Sequence, residues 1–146
     1  MAKVLAVNIS DKKGVPKKQV EKGYFAVDHG LQGDAHAGDW HRQVSLLGIE
    51  SYEKVKAMGL TNLEFGSFAE NITTEGIILH ELPVGTRLAV GEAVMEVTQI
   101  GKECHTGCAI KRTTGDCVMP REGIFAKVIT PGWVKPGDEI TVMERE

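Results

Sequence analysis

The chain has 146 residues, 42% hydrophobic and only 5% aromatic, enough for one domain spanning 1–146 with a mostly aliphatic core. A net charge of -3 and a pI near 6.0 leave no footprint for nucleic acid or an anionic membrane. No run approaches the roughly 18 consecutive apolar residues that span a bilayer. Met1 to Asn8 is too short for a signal peptide and the residues after Asn8 are too polar, so a cytoplasmic protein is expected.

Most of the chain predicts β structure. Val4 to Ile9 is an apolar run suited to an opening strand, and Lys12 to Lys18 a basic loop punctuated by Gly14 and Pro16. Gly23 to Asp28 and Gln43 to Leu47 suit further strands. Ile49, Tyr52, Val55 and Met58 recur at spacing three, which predicts a helix from Ile49 to Met58 stopped by Gly59. Thr86 to Val90 and Ala93 to Ile100 form a hairpin signal around Gly91-Glu92. Ile124 to Ile129 is a strand stopped by Thr130-Pro131-Gly132, and Pro136-Gly137-Asp138 turns into a last strand, Glu139 to Met143. Many short strands with one main helix predict a closed or nearly closed β-barrel, since closure removes exposed strand edges.

Chemistry concentrates in a few segments. Cys104 lies in Gly101-Lys102-Glu103-Cys104-His105-Thr106-Gly107-Cys108, directly after an expected strand. Lys102 and His105 favour its thiolate, the form that attacks carbon or sulfur or binds a metal, while Glu103 opposes it. All three cysteines, Cys104, Cys108 and Cys117, fall in one short stretch. In a reducing compartment that argues for chemistry or metal over a disulfide framework. Cys104, His105 and Cys108 could begin a zinc site, with a fourth ligand from Cys117 or from His36 or His41. Cys108 and Cys117 also read as small buried hydrophobes.

A second polar segment, Gly33 to Ser45, carries Asp34, His36, His41 and Arg42 between glycines. It reads as a loose metal site, as an anion loop with Arg42 as the planar fork, or as a polar loop without a ligand. We expect His36, His41 or Arg42 to face the same cavity as Cys104. Asn71, in Ala69-Glu70-Asn71-Ile72-Thr73, can hold a backbone turn or present both a donor and an acceptor to a ligand. Glu70 reads as structural. Arg121, after Pro120, either forms a salt bridge with its surroundings or meets an anionic ligand.

These motifs together resemble the MOSC domain family, named for the C-terminal domain of molybdenum cofactor sulfurases. The matching stretches are Gly33-Asp34-Ala35-His36-Ala37-Gly38 with His41-Arg42-Gln43-Val44-Ser45, Phe65-Gly66 leading into Ala69-Glu70-Asn71-Ile72-Thr73-Thr74-Glu75-Gly76, Leu82-Pro83-Val84-Gly85-Thr86, and Met119-Pro120-Arg121-Glu122-Gly123-Ile124-Phe125-Ala126. The resemblance runs from about Val4 to Val142. It implies a MOSC-type β-barrel with one main helix and short additional helices. It also implies a cysteine that meets molybdenum or carries sulfur, and Cys104 is the one that matches.

The implied cofactor is the molybdenum cofactor, a pyranopterin with a dithiolene and a phosphate. Cys104 would be its metal ligand, with Lys102, Arg42 and Arg121 near the phosphate and Asn71, His36, His41 and His105 as further contacts. Some members with a molybdenum centre reduce N-hydroxylated substrates. The implied partners are proteins of cofactor biosynthesis or sulfuration, including a cysteine desulfurase. The pyridoxal phosphate domain of full-length sulfurases has no counterpart here, so no pyridoxal phosphate is expected in this chain alone. Two other readings stay open, a non-catalytic cofactor- or partner-binding barrel and a zinc-stabilised structural module.

Overall fold

The computed structural model describes residues 2–10, 18–34, 37–38, 43–50, 53, 70–77, 79–100 and 123–143. Among them the strands are β1 (Ala2–Ile9), β2 (Lys18–Val20), β3 (Gly23–Ala26), β4 (Gly30–Leu31), β5 (Val44–Gly48), β6 (Ile72–Glu75), β7 (Arg87–Val90), β8 (Ala93–Ile100), β9 (Ile124–Thr130), β10 (Gly132–Val134) and β11 (Glu139–Met143). A 3-10 turn covers Leu79–Glu81.

The main sheet runs β11-β7-β8-β9-β5-β6-β1, and β1 pairs again with β11 to close a seven-stranded barrel. Ala2 faces Ile140 and Lys3 faces Glu139 at that closure. Strand β2 extends the wall beside β1, and β10-β3-β4 form a smaller second sheet. All barrel pairings are antiparallel except β5 with β6, where Leu46 faces Ile72. A parallel pair needs a long crossover, which the stretch between Gly48 and Ile72 provides. Of the helix expected over Ile49 to Met58, only Ile49, Glu50 and Glu53 are among the described residues, and these three are helical. The rest of that segment lies outside them.

Alternation explains the wall. In β8, Ala93, Met95 and Val97 are buried while Val94, Glu96 and Thr98 are partly exposed. Leu88 and Val90 of β7, Ile72 of β6 and Ile124 and Ala126 of β9 add to the same aliphatic core. Removing each of the larger side chains, the leucines, valines, isoleucines and Met95, from water stabilises the barrel by roughly 1.5–3 kcal/mol. Strand β5 departs from alternation and is buried at every position, so it is covered on both faces. On the outer wall, Glu96 pairs with Arg87 at 3.3 Å and with Lys127 at 3.6 Å, linking three strands.

The predicted strands differ in detail. The third strand stops at Ala26, because Asp28 takes a left-handed conformation (φ 58°) in the following turn. Lys18 belongs to β2, not to the basic loop. Strand β9 runs through Thr130, and β10 begins straight after Pro131. The β7–β8 hairpin turns at Gly91, whose φ of 57° suits a glycine without strain.

Candidate functional site

A buried polar cluster joins β1, β5 and β6. Asn8, Glu70, Asn71 and Thr73 are fully buried and Ser45 nearly so. Asn71 Oδ1 accepts from the Ser45 N–H at 3.0 Å and from the Ser45 hydroxyl at 3.2 Å. The Asn71 amide donates to the Asn8 carbonyl at 3.3 Å. Backbone bonds run alongside, from Asn8 N to the Asn71 carbonyl at 2.7 Å and from Asn71 N to the Ser45 carbonyl at 2.8 Å. Asn8 Nδ2 donates to the Glu70 carbonyl at 3.2 Å and to Thr73 Oγ1 at 3.1 Å, and the Thr73 hydroxyl donates to Glu70 Oε2 at 2.9 Å.

The cluster pins the place where β5 and β6 begin. Asn71 is the one predicted cofactor contact among the described residues, and its side chain is engaged with Ser45 and Asn8. Sequence reasoning did not single out Asn8 or Ser45. The signal was present: Asn8 is a polar residue near the end of an apolar run, and a buried polar side chain must find partners.

Two nearby contacts tether the polar segment from Gly33 to Ser45. Asp34 Oδ1 accepts from the Ser10 N–H at 3.1 Å, and Gln43 Oε1 accepts from the Val128 N–H at 3.0 Å. Asp34 is therefore used to hold the end of β1. His36, His41 and Arg42 lie outside the described residues, as do Lys102, Cys104, His105 and Arg121.

The strand directions still constrain how these segments reach the barrel. Strands β5 and β8 both run antiparallel to β9, on its two flanks. Arg42 lies before the start of β5, where Val44 faces Ala126, whereas Cys104 lies beyond the end of β8, where Ile100 faces Ile124. The two segments thus join the wall from opposite directions. Their attachment points are two residues apart along β9, about 7 Å at the usual strand rise. The shared cavity expected from the sequence gains no direct support from these directions.

No group of three or more His, Cys, Asp or Glu side chains converges among the described residues. A molybdenum or zinc centre would have to draw on residues outside them. No helix among the described residues is long and apolar enough to cross a membrane.

A family model described as MOSC domain matches residues 32–141, three quarters of the chain. The chain belongs to the MOSC domain family. Among solved structures, the YuaD protein from Bacillus subtilis matches this MOSC domain with a TM-score of 0.81 at 22% identity, over 100% of this chain and 98% of that one. YiiM from Geobacillus stearothermophilus matches with a TM-score of 0.77 at 18% identity, over 99% of this chain and 76% of that one. YiiM from Escherichia coli gives 0.68 at 19%, over 98% and 71%. No curated protein matches the chain. At these identities the structures establish the fold. The family relates this MOSC domain to molybdenum cofactor sulfurases.

Proposed function

We propose that this MOSC domain binds the molybdenum cofactor or carries its sulfur through Cys104. The observation that supports the reading is the family match over residues 32–141, which spans Cys104 and the Glu70–Asn71 motif. A thiolate is a soft ligand suited to a sulfur-rich molybdenum centre. When bound, the cofactor would supply redox and sulfur chemistry, and in the reading with turnover that chemistry acts on N-hydroxylated substrates. Among the described residues no three His, Cys, Asp or Glu side chains converge, so the proposal concerns binding and carriage through Cys104 and the groups near it in sequence.

In this reading Lys102, His105 and Arg121 share the segment of Cys104 and are its first candidate contacts. Lys102 and Arg121 neutralise the phosphate. His36, His41 and Arg42, which precede β5 in sequence, are further candidate contacts. Asn71 acts by holding Ser45 and Asn8, so it positions the start of β5 and the segment leading into it. Delivery of sulfur requires a donor such as a cysteine desulfurase, in the cytoplasm of the host.

The test is purification from a host that makes the molybdenum cofactor, followed by metal analysis and identification of the organic cofactor. Stoichiometric molybdenum with a pterin supports binding. Labelled persulfide on Cys104 after incubation with a cysteine desulfurase supports carriage. Zinc in place of molybdenum, released together with Cys104 and Cys108 reactivity by a chelator, replaces the proposal with the structural-module reading. The clustering of Cys104, Cys108 and Cys117 is what keeps that alternative specific.

A further inference from the structure

Strands β5 and β6 finish side by side, with Gly48 opposite Thr74. Because β8 runs in the same direction as β5, this is the barrel end at which β8 also finishes. Gly48 has no side chain, and oxygens gather on its open side. The point a Cβ would occupy lies 2.6 Å from Glu50 Oε1, 3.5 Å from Thr74 Oγ1 and 3.6 Å from the Ile77 carbonyl oxygen. The missing side chain leaves room for the Glu50 carboxylate to sit where a Cβ would be; a side chain there would push the carboxylate aside.

The orientation of Glu50 is fixed by its other oxygen. Oε2 accepts from the Gly76 N–H at 2.9 Å. Oε1 thereby lies on the side of Gly48, near the same point as Thr74 Oγ1 and the Ile77 carbonyl oxygen. Glu50 Oε1 and Thr74 Oγ1 are both buried and neither has a hydrogen-bond partner among the described residues. Thr74 as a whole is 0% exposed. A buried carboxylate oxygen and a buried hydroxyl that make no hydrogen bond, to each other or to any described group, are an unfavourable arrangement. Among ion pairs, Glu50 takes part in none with a described lysine or arginine.

We infer that Glu50 Oε1, Thr74 Oγ1 and the Ile77 carbonyl form a site for a small hard cation, Ca²⁺ in the first place. The donor set is all oxygen and mixes a carboxylate, a hydroxyl and a backbone carbonyl, which is calcium chemistry. It contains no nitrogen or sulfur to favour softer metals. It is therefore separate in chemistry from any molybdenum or zinc centre. With one carboxylate the site is weak, and water completes the coordination shell. Its physical effect is to tie the ends of β5 and β6 to the start of the crossover that joins them.

The experiment is thermal unfolding of the full chain with CaCl₂, MgCl₂, NaCl or choline chloride at matched ionic strength, starting from chelator-treated protein. Calcium should raise the melting temperature saturably, following the linkage relation for a ligand that binds only the folded state. Glu50→Gln keeps the shape and the Gly76 contact but removes the charge, and should weaken apparent affinity by about 10-fold or more. Thr74→Val removes the hydroxyl with little change of shape and should weaken it by a few-fold. If Glu50→Gln does not fold, Thr74→Val carries the test. The proposal is overturned if calcium gives no saturable shift up to about 10 mM, well above the weakest calcium modules. It is also overturned if both variants keep the wild-type shift, or if choline stabilises as well as calcium. The last result would mean that the stabilisation is a general salt effect and not binding at a site.

Discussion

Ile100 and Ile124 face each other across the β8–β9 ladder, so residues 101–123 leave and rejoin the barrel wall at a single rung. Ile124 is fully buried there. Cys104 is thus tied closely, in sequence, to a fixed point of the scaffold.

Cys104 is expected to be the reactive thiol. Alkylation of the folded protein across pH, followed by peptide mapping, should label Cys104 before Cys108 and Cys117. Cys104→Ser should abolish molybdenum or persulfide loading. Preferential labelling of Cys117, or unchanged loading in the variant, would sink the assignment.

Asn71→Ala should destabilise the barrel strongly. It removes the acceptor for the Ser45 N–H and hydroxyl and the donor to the Asn8 carbonyl, all in a buried site. Leaving such groups unpaired costs about 1–3 kcal/mol each, so a loss of about 3 kcal/mol is expected in urea unfolding. A loss under about 1 kcal/mol would mean that the cluster relaxes or takes in water.

Arg42→Ala should weaken cofactor retention while leaving unfolding midpoints almost unchanged. One charge-assisted hydrogen bond is worth about 1.5–3 kcal/mol. Retention equal to wild type after gel filtration would remove Arg42 from the site.

Glu96→Gln should cost little. Its partners Arg87 and Lys127 are partly exposed, and such pairs contribute about 0–1 kcal/mol, less at high salt. Leu46→Ala, by contrast, empties a fully buried position and should cost about 2–5 kcal/mol. Chemical denaturation of the two variants side by side checks the contrast.

Much of the barrel was legible because strand signals are local. The hairpin at Gly91-Glu92 was marked by two alternating runs around one glycine, and β11 by the turn at Pro136-Gly137-Asp138. The strands not foreseen are short or lack the pattern. Gly30–Leu31 is two residues long, and Gly132–Val134 hides behind Pro131. Strand β6 reads Ile-Thr-Thr-Glu, and its threonines are buried only because β1 and β5 flank it. The parallel β5–β6 pairing was invisible, since register across a long crossover is a tertiary fact. At the candidate site, sequence left Asn71 between holding a backbone turn and meeting a ligand, and did not name its partners Asn8 and Ser45, which are 63 and 26 positions away. Residue type can announce that a buried amide needs partners, but not which distant strand will bring them.

The pairing of Ala2 with Ile140 and Lys3 with Glu139 shuts the barrel between strands drawn from opposite extremes of the described sequence. That contact carries a loop-closure entropy about 3 kcal/mol larger than a local hairpin incurs, since the cost grows with the logarithm of loop length. The β7–β8 hairpin can form early and alone, whereas the seam between β1 and β11 has to wait until the intervening wall has assembled. Refolding should accordingly be slow, in the millisecond-to-second range of folds dominated by non-local pairing. Loosening that seam should speed unfolding far more than it slows refolding.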